Sequence, residues 1–191
     1  PESFTLGPEE LFWTRRVAGG HPYLLQVALS IIFRLHAEEK NFKIKDATLE
    51  LVTLAESLFL TLWNGASDVE RVLLTLAALR DYEELMTPQG YLLKDYKLIF
   101  SQFERELREL EERSIIIRHP NPDFYQYALF SPLMAWWIIK EIEARSDDEI
   151  VQQTEMFSNF LNSTRTTQIL NLLLDVQAKK MAYKTLSAWV S

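Results

Sequence analysis

The chain contains no cysteine, and its 191 residues include only 5 glycines, 7 prolines and 3 histidines. Without thiols there is no disulfide framework, no thiolate zinc site and no sulfur nucleophile, which fits a protein of the reducing cytoplasm. No apolar run approaches the roughly 20 residues of a membrane span, and the first residues carry neither the charged flank nor the apolar core of a signal peptide, so no membrane association is expected. A cationic excess is also missing: 20 Lys and Arg stand against 27 Asp and Glu, a net charge of −7 and a pI near 5.1. Phosphate neutralisation dominates sequence-independent attraction to nucleic acid, so a nucleic-acid partner is not expected. The chain opens on Pro1 instead of Met, and a piece of a longer protein is expected. What is abundant is apolar: 48% hydrophobic and 12% aromatic residues can bury a sizeable core.

The apolar spacing is helical for most of the length. Gly7-Pro8 and the acids Glu9 and Glu10 suit a helix start, with Leu11, Phe12, Arg15 and Val17 in a short helix over 8–18. From Pro22 to about Glu39, Leu24, Leu25, Ala28, Ile31, Ile32 and Leu35 recur three and four apart, and Asn41 is expected to break the run. A third helix is expected from Ile44 or Asp46 to Trp63. Asn64-Gly65-Ala66-Ser67 then reads as a subdomain boundary.

Beyond it, Ser67 and Glu70 form a capping-box pattern ahead of Val69, Val72, Leu73, Leu76 and Leu79. After a loop-rich stretch at Met86-Thr87-Pro88-Gln89-Gly90, one helix is expected from Tyr96 to Arg113, with Leu98, Ile99, Phe103, Leu107 and Leu110 on its apolar face. Ser114 to Arg118 and Phe124 to Leu129 flank a turn rich in Pro and Asn and predict a β-hairpin. Ser131-Pro132 starts a helix carrying Met134, Trp137, Ile138 and Ile142. An acidic break is expected at Asp147-Asp148-Glu149, then a short helix through Met156 and Phe160, and a final helix capped by Ser163 or Thr164 and reaching Trp189. Three helices followed by a two-stranded wing is the winged-helix order. The expected architecture is therefore mainly α: a helical subdomain over 1–65, a winged helix with a small β-hairpin over 66–146, and a helical segment over 147–191.

One stretch, Ala18-Gly19-Gly20-His21-Pro22-Tyr23-Leu24-Leu25, joins a helix stop directly to a helix start. Its bland reading is a tight corner with no ligand. Its Gly-Gly-His-Pro-Tyr-Leu-Leu wording, with a winged-helix pattern behind it, resembles the lid and winged-helix region of STAND-type AAA+ P-loop ATPases over about residues 8–145. The resemblance implies that Pro22 faces the adenine of ATP or ADP, that Gly20 allows close backbone approach, and that His21 is available to a phosphate or base edge. It also implies a longer protein in which an N-terminal core binds the nucleotide with magnesium, and in which ADP holds lid and winged helix closed until exchange for ATP permits self-assembly. Two features depart from the family. Phe130-Ser131 stands where some STAND proteins place a phosphate-sensing His, and no Gly-x-x-x-x-Gly-Lys-Ser/Thr loop occurs in the chain, so these residues hold neither phosphate nor magnesium by themselves.

No catalytic set and no metal site can be assembled from the sequence. His36 and His119 lack His or carboxylate partners at ligand spacing and read as solvated or capping residues. There is no nucleophile elbow. The candidate recognition helix carries Lys97, Arg105, Arg108 and Arg113 against Glu104, Glu106, Glu109, Glu111 and Glu112, with Glu104–Arg108 and Glu109–Arg113 at i,i+4. Only Arg118 and His119 could decorate the wing. That is a salt-bridged surface and not a groove reader, which favours protein contacts over DNA. Trp136 and Trp137 sit about 100° apart on their helix, so one packs inward and the other faces a flank or partner; Trp189 is a third interaction candidate. The sequence thus predicts a non-catalytic regulatory piece of a STAND-type ATPase that acts through an ATPase core, a protein partner or self-association. The alternatives are a winged-helix DNA-binding regulator with helical dimerisation segments, and a helical adaptor.

Overall fold

A computed structural model describes residues 5–86, 99–118 and 127–179. They form eight helices and one two-stranded sheet, the mainly helical architecture with a small hairpin that the sequence predicts. The first group is α1 (Pro8–Ala18), α2 (Pro22–Ala37) and α3 (Ile44–Asn64). It continues into α4 (Asp68–Met86), α5 (Glu104–Glu112), β1 (Ile116–Arg118), β2 (Tyr127–Leu129) and α6 (Pro132–Ala144). Two helices, α7 (Asp147–Ser158) and α8 (Ser163–Lys179), complete the described chain. No described helix is long and apolar enough to cross a membrane.

Caps set most of these bounds. Glu10 reaches back to the Gly7 amide at 2.7 Å, and Gly19 and Gly20 end α1 at φ of 54° and 83°. Pro22 occupies the first turn of α2, where its missing N–H is not needed. Ser67 and Glu70 exchange the expected capping-box bonds at the start of α4, and Ser146 and Glu149 do the same for α7.

Five boundaries differ from the sequence expectation. The α2 helix stops at Ala37, because Glu39 turns left-handed at φ 52° and the Lys40 and Glu39 amides return to Leu35 and His36, a Schellman closure that precedes Asn41. The helix expected from Tyr96 to Arg113 is interrupted in its described part: a turn at residues 101–103 precedes α5, and Ser114 at φ 57° closes it in the same way. Periodicity ran through this turn because Ile99 and Phe100 are buried on its near side and Leu107 and Leu110 on the far side. The three acids expected to break the chain are instead the first turn of α7, where negative charge suits the helix N-terminus behind the Ser146 cap. The same helix ends at Ser158, before Phe160. Asn162, not Ser163 or Thr164, caps α8, accepting the Arg165 amide at 3.0 Å. The residues Tyr96, Lys97, Leu98, His119, Met181, Leu186 and Trp189 lie outside the described residues, as do the loop 87–90 and the hairpin turn.

The strands pair antiparallel, with Ile116 opposite Leu129 and Arg118 opposite Tyr127. Arg118 folds back over the Tyr127 ring and donates to its hydroxyl at 2.6 Å. On α4, every residue from Val72 to Arg80 is buried, a wider face than the single stripe its sequence suggests. Arg80 is tolerated there because it pairs with Asp81 and donates to the Tyr127 carbonyl of β2. The α6 helix packs on α1, α3, α4, β2 and α8 together, and buried side chains of all these elements belong to one continuous core.

The Trp pair divides as its spacing requires. Trp137 is 4% exposed and meets Phe59 at 6.0 Å and Trp63 at 6.2 Å, whereas Trp136 is half-buried under Lys140 at 5.8 Å. Trp137→Ala is expected to lower unfolding free energy by about 3–5 kcal/mol, as for other large core truncations. Trp136→Ala should cost about 1 kcal/mol, near the scale of an exposed cation–π contact. Urea titration of the two variants beside the parent checks the ratio.

Candidate functional site

The residues singled out at the α1–α2 corner lie against the start of α6. Ser131 caps α6, accepting the Leu133 amide at 3.2 Å, and the same hydroxyl donates to the Val17 carbonyl at 2.6 Å. One buried side chain thus closes a new helix and ties it to a residue 114 positions earlier. Directly beside it, the Gly19 backbone lies on the Phe130 carbonyl: a Cβ on Gly19 would stand 1.4 Å from that oxygen. Only glycine fits there, both for its left-handed φ and for the approach.

His21 completes the joint. Its ring lies 4.9 Å from the Phe130 ring, its amide donates to Ala18 at 2.8 Å, and its Nδ1 is buried with no partner among the described residues. Burial removes solvation from the cationic form and lowers the pKa of the imidazole below its ordinary 6.5. The side that faces away from α6 is open. A Cβ on Gly20 would meet nothing within 4 Å, and Pro22 and Tyr23 are exposed. Gly20, His21 and Pro22 are therefore brought together as a narrow shelf with one face on Phe130 and the other free. The shelf offers apolar contact to a flat ring and no phosphate-cradling loop.

The remaining site expectations fare unevenly. His36 is neither simply solvated nor a cap: its Nε2 lies 2.7 Å from Glu10 Oε1, joining the end of α2 to the start of α1. Among the described residues no cluster of His, Cys, Asp and Glu could hold a metal ion. On α5 the expected Glu104–Arg108 pair is not among the ion pairs of the described residues; Arg105 pairs with Glu109 at 3.0 Å instead. Arg113 turns away from the Glu109 carboxylate to reach Glu70 on α4. The α5 surface remains a mix of both signs, with Arg105 on the helix and Arg113 at its end engaged by carboxylates of the same molecule.

Sequence reasoning missed the Phe130–Ser131 half of the joint, the Glu10–His36 pair and the grip of Arg113 on Glu70. Ser131-Pro132 was readable as a helix start, but nothing in its spacing reveals a second partner at Val17. The chain matches no protein-family model, and no curated protein or solved structure matches it.

Two adjacent glycines with opposite surroundings give a sharp test. Gly19→Ala meets backbone and should destabilise the chain by about 3 kcal/mol or more, from left-handed strain together with a clash that cannot relax cheaply. Gly20→Ala meets open space and should cost only the left-handed penalty, about 1 kcal/mol. Chemical denaturation of both variants measures the difference. For His21, the unfolded chain binds more protons than the folded one between the lowered pKa and 6.5. Its contribution is therefore complete above pH 6.5 and declines as pH falls through that value toward the folded one. The drop in melting temperature from pH 7 to pH 5.5 should be smaller in His21→Phe than in the parent.

Proposed function

We propose that this chain is a non-catalytic regulatory segment of a cytoplasmic STAND-type AAA+ ATPase, with α1–α3 as the lid and α4–α6 with the hairpin as the winged helix. In this reading the nucleotide-binding core belongs to the rest of the protein and supplies the phosphate and magnesium contacts that these residues lack. The single observation that carries it is the placement of the Gly20-His21-Pro22 shelf. It is open on one side and seated on the residues that launch α6 on the other. A ring lying on Pro22 would touch a surface whose position is fixed relative to both helical groups. Nucleotide exchange could then bias the arrangement of the whole segment through contacts that differ between states. Protein contacts, with the core or with further copies, are the output in this reading. The mixed-charge α5 surface supports that choice over DNA, since Arg105 and Arg113 are held by Glu109 and Glu70 and the exposed Arg108 stands among glutamates, so no basic stripe is presented.

The test is Pro22→Ala in the full-length protein, read as ADP dissociation rate, beside the melting temperature of the present chain. An adenine contact at Pro22 predicts faster ADP loss by about tenfold, the equivalent of about 1.4 kcal/mol. Melting should shift little, since proline at this position contributes about 1 kcal/mol or less to stability. Unchanged ADP dissociation with lowered melting would reduce the shelf to a helix corner and remove the main support for the reading.

A further inference from the structure

Asn64-Gly65-Ala66-Ser67 has the composition of a flexible linker, and it separates the two helical groups. Its geometry is that of a clasp. Gly65 sits at φ −78° and ψ −6°, a helical conformation open to any residue, and its amide donates to Thr61 at 3.0 Å. Ala66 is buried and its amide donates to Trp63 at 3.2 Å. Arginines reach the carbonyls at and just beyond the end of α3. Arg71 donates from Nε to Trp63 O at 3.1 Å and from Nη2 to Asn64 O at 3.2 Å, and Arg113 donates to Gly65 O at 3.4 Å. Glu70, 4% exposed, accepts the Ser67 amide at 2.7 Å and also binds Arg113. Charged donors thus add to the carbonyls around a helix end while bridging α3, α4 and α5.

The same two groups are joined at two further places. Trp137 of α6 packs on Phe59 and Trp63 of α3, and Ser131 and Phe130 hold Val17 and Gly19 of α1. Parting the groups would return Phe59 and Trp137 to water, leave Ser131 without Val17 and strip Glu70 of Arg113, an acid that is itself buried.

We propose that the 65–67 connection is a locked joint, held by Arg71 and Arg113, so that α1–α3 and α4–α6 move as one rigid lever and any large rearrangement of the protein hinges elsewhere. This holds whether or not the segment serves a nucleotide switch, so its failure and that of the functional reading can be told apart.

Because the chain has no native cysteine, Ser30→Cys on α2 and Arg108→Cys on α5, both exposed, can carry a pair of spin labels. The lever predicts one narrow distance distribution in the present chain, and the same distribution in the full-length protein with ADP or with ATP. A second population, or a shift between nucleotides, would overturn it. Native-state amide exchange gives a second measure. In the parent chain, the Phe59 and Trp137 amides should exchange with one shared dependence on denaturant, as members of one cooperative unit. In Arg71→Met/Arg113→Met, α3 amides should exchange at least tenfold faster than those of α6. Earlier opening of α3 in the parent refutes the lever, and continued joint exchange in a folded double variant refutes the role of the two arginines. Should the double variant not fold, the parent measurement and the label distances still decide.

Discussion

A helix buried on most of its circumference cannot belong to one side of a molecule, and α6 imposes that constraint here. Leu133, Met134, Ala135, Trp137, Ile138, Ile139 and Ile142 are all buried, and no single neighbour could cover so wide a face. Its surroundings are therefore drawn from the whole chain: α1 and α3 from the first helical group, α4 and β2 from the second, α8 from the last. The Ser131 cap shows how closely local and long-range demands coincide. Its Oγ satisfies an amide in the first turn of α6 and, as donor, the Val17 carbonyl at the end of α1, so both helix ends are completed by one hydroxyl.

From that packing follows the character of the Gly-Gly-His-Pro corner. A surface corner with two glycines would ordinarily be soft. Here Gly19 is pinned by the Phe130 carbonyl, and His21 lies against the Phe130 ring with Nδ1 buried, a burial that lowers its pKa. Gly20 and Pro22 keep an open face. Rigidity behind and access in front is the arrangement a recognition surface requires, because a contact made on a fixed backbone loses little conformational entropy on binding.

Much of this was readable in the amino-acid order. Gly19-Gly20, Pro22, the Ser67/Glu70 pair and Ser131-Pro132 mark helix ends by chemistry that acts within a few residues, and those ends fall where the sequence places them. Boundaries set by backbone conformation without a glycine were less legible. Glu39 and Ser114 take left-handed φ values because hydrogen bonds of the closing turn hold them there, and neither residue type announces it. The interruption at residues 101–103 was hidden by apolar residues that are buried on both sides of the turn. Least legible were the long-range partners. Arg113 has Glu109 one turn away, yet its guanidinium reaches Glu70 on another helix; i,i+4 spacing offers a partner without excluding a better one. The grip on Gly65 was hidden for the same reason, since Arg113 reaches its carbonyl from 48 positions further along the chain.

Cooperativity is the central consequence of this packing: one core organised by α6 holds the described elements together. Differential scanning calorimetry of the chain tests this directly. A single transition whose calorimetric and van't Hoff enthalpies agree is the predicted result. Two resolved transitions, or a calorimetric enthalpy well above the van't Hoff value, would mean that the helical groups unfold separately and that α6 does not unite them.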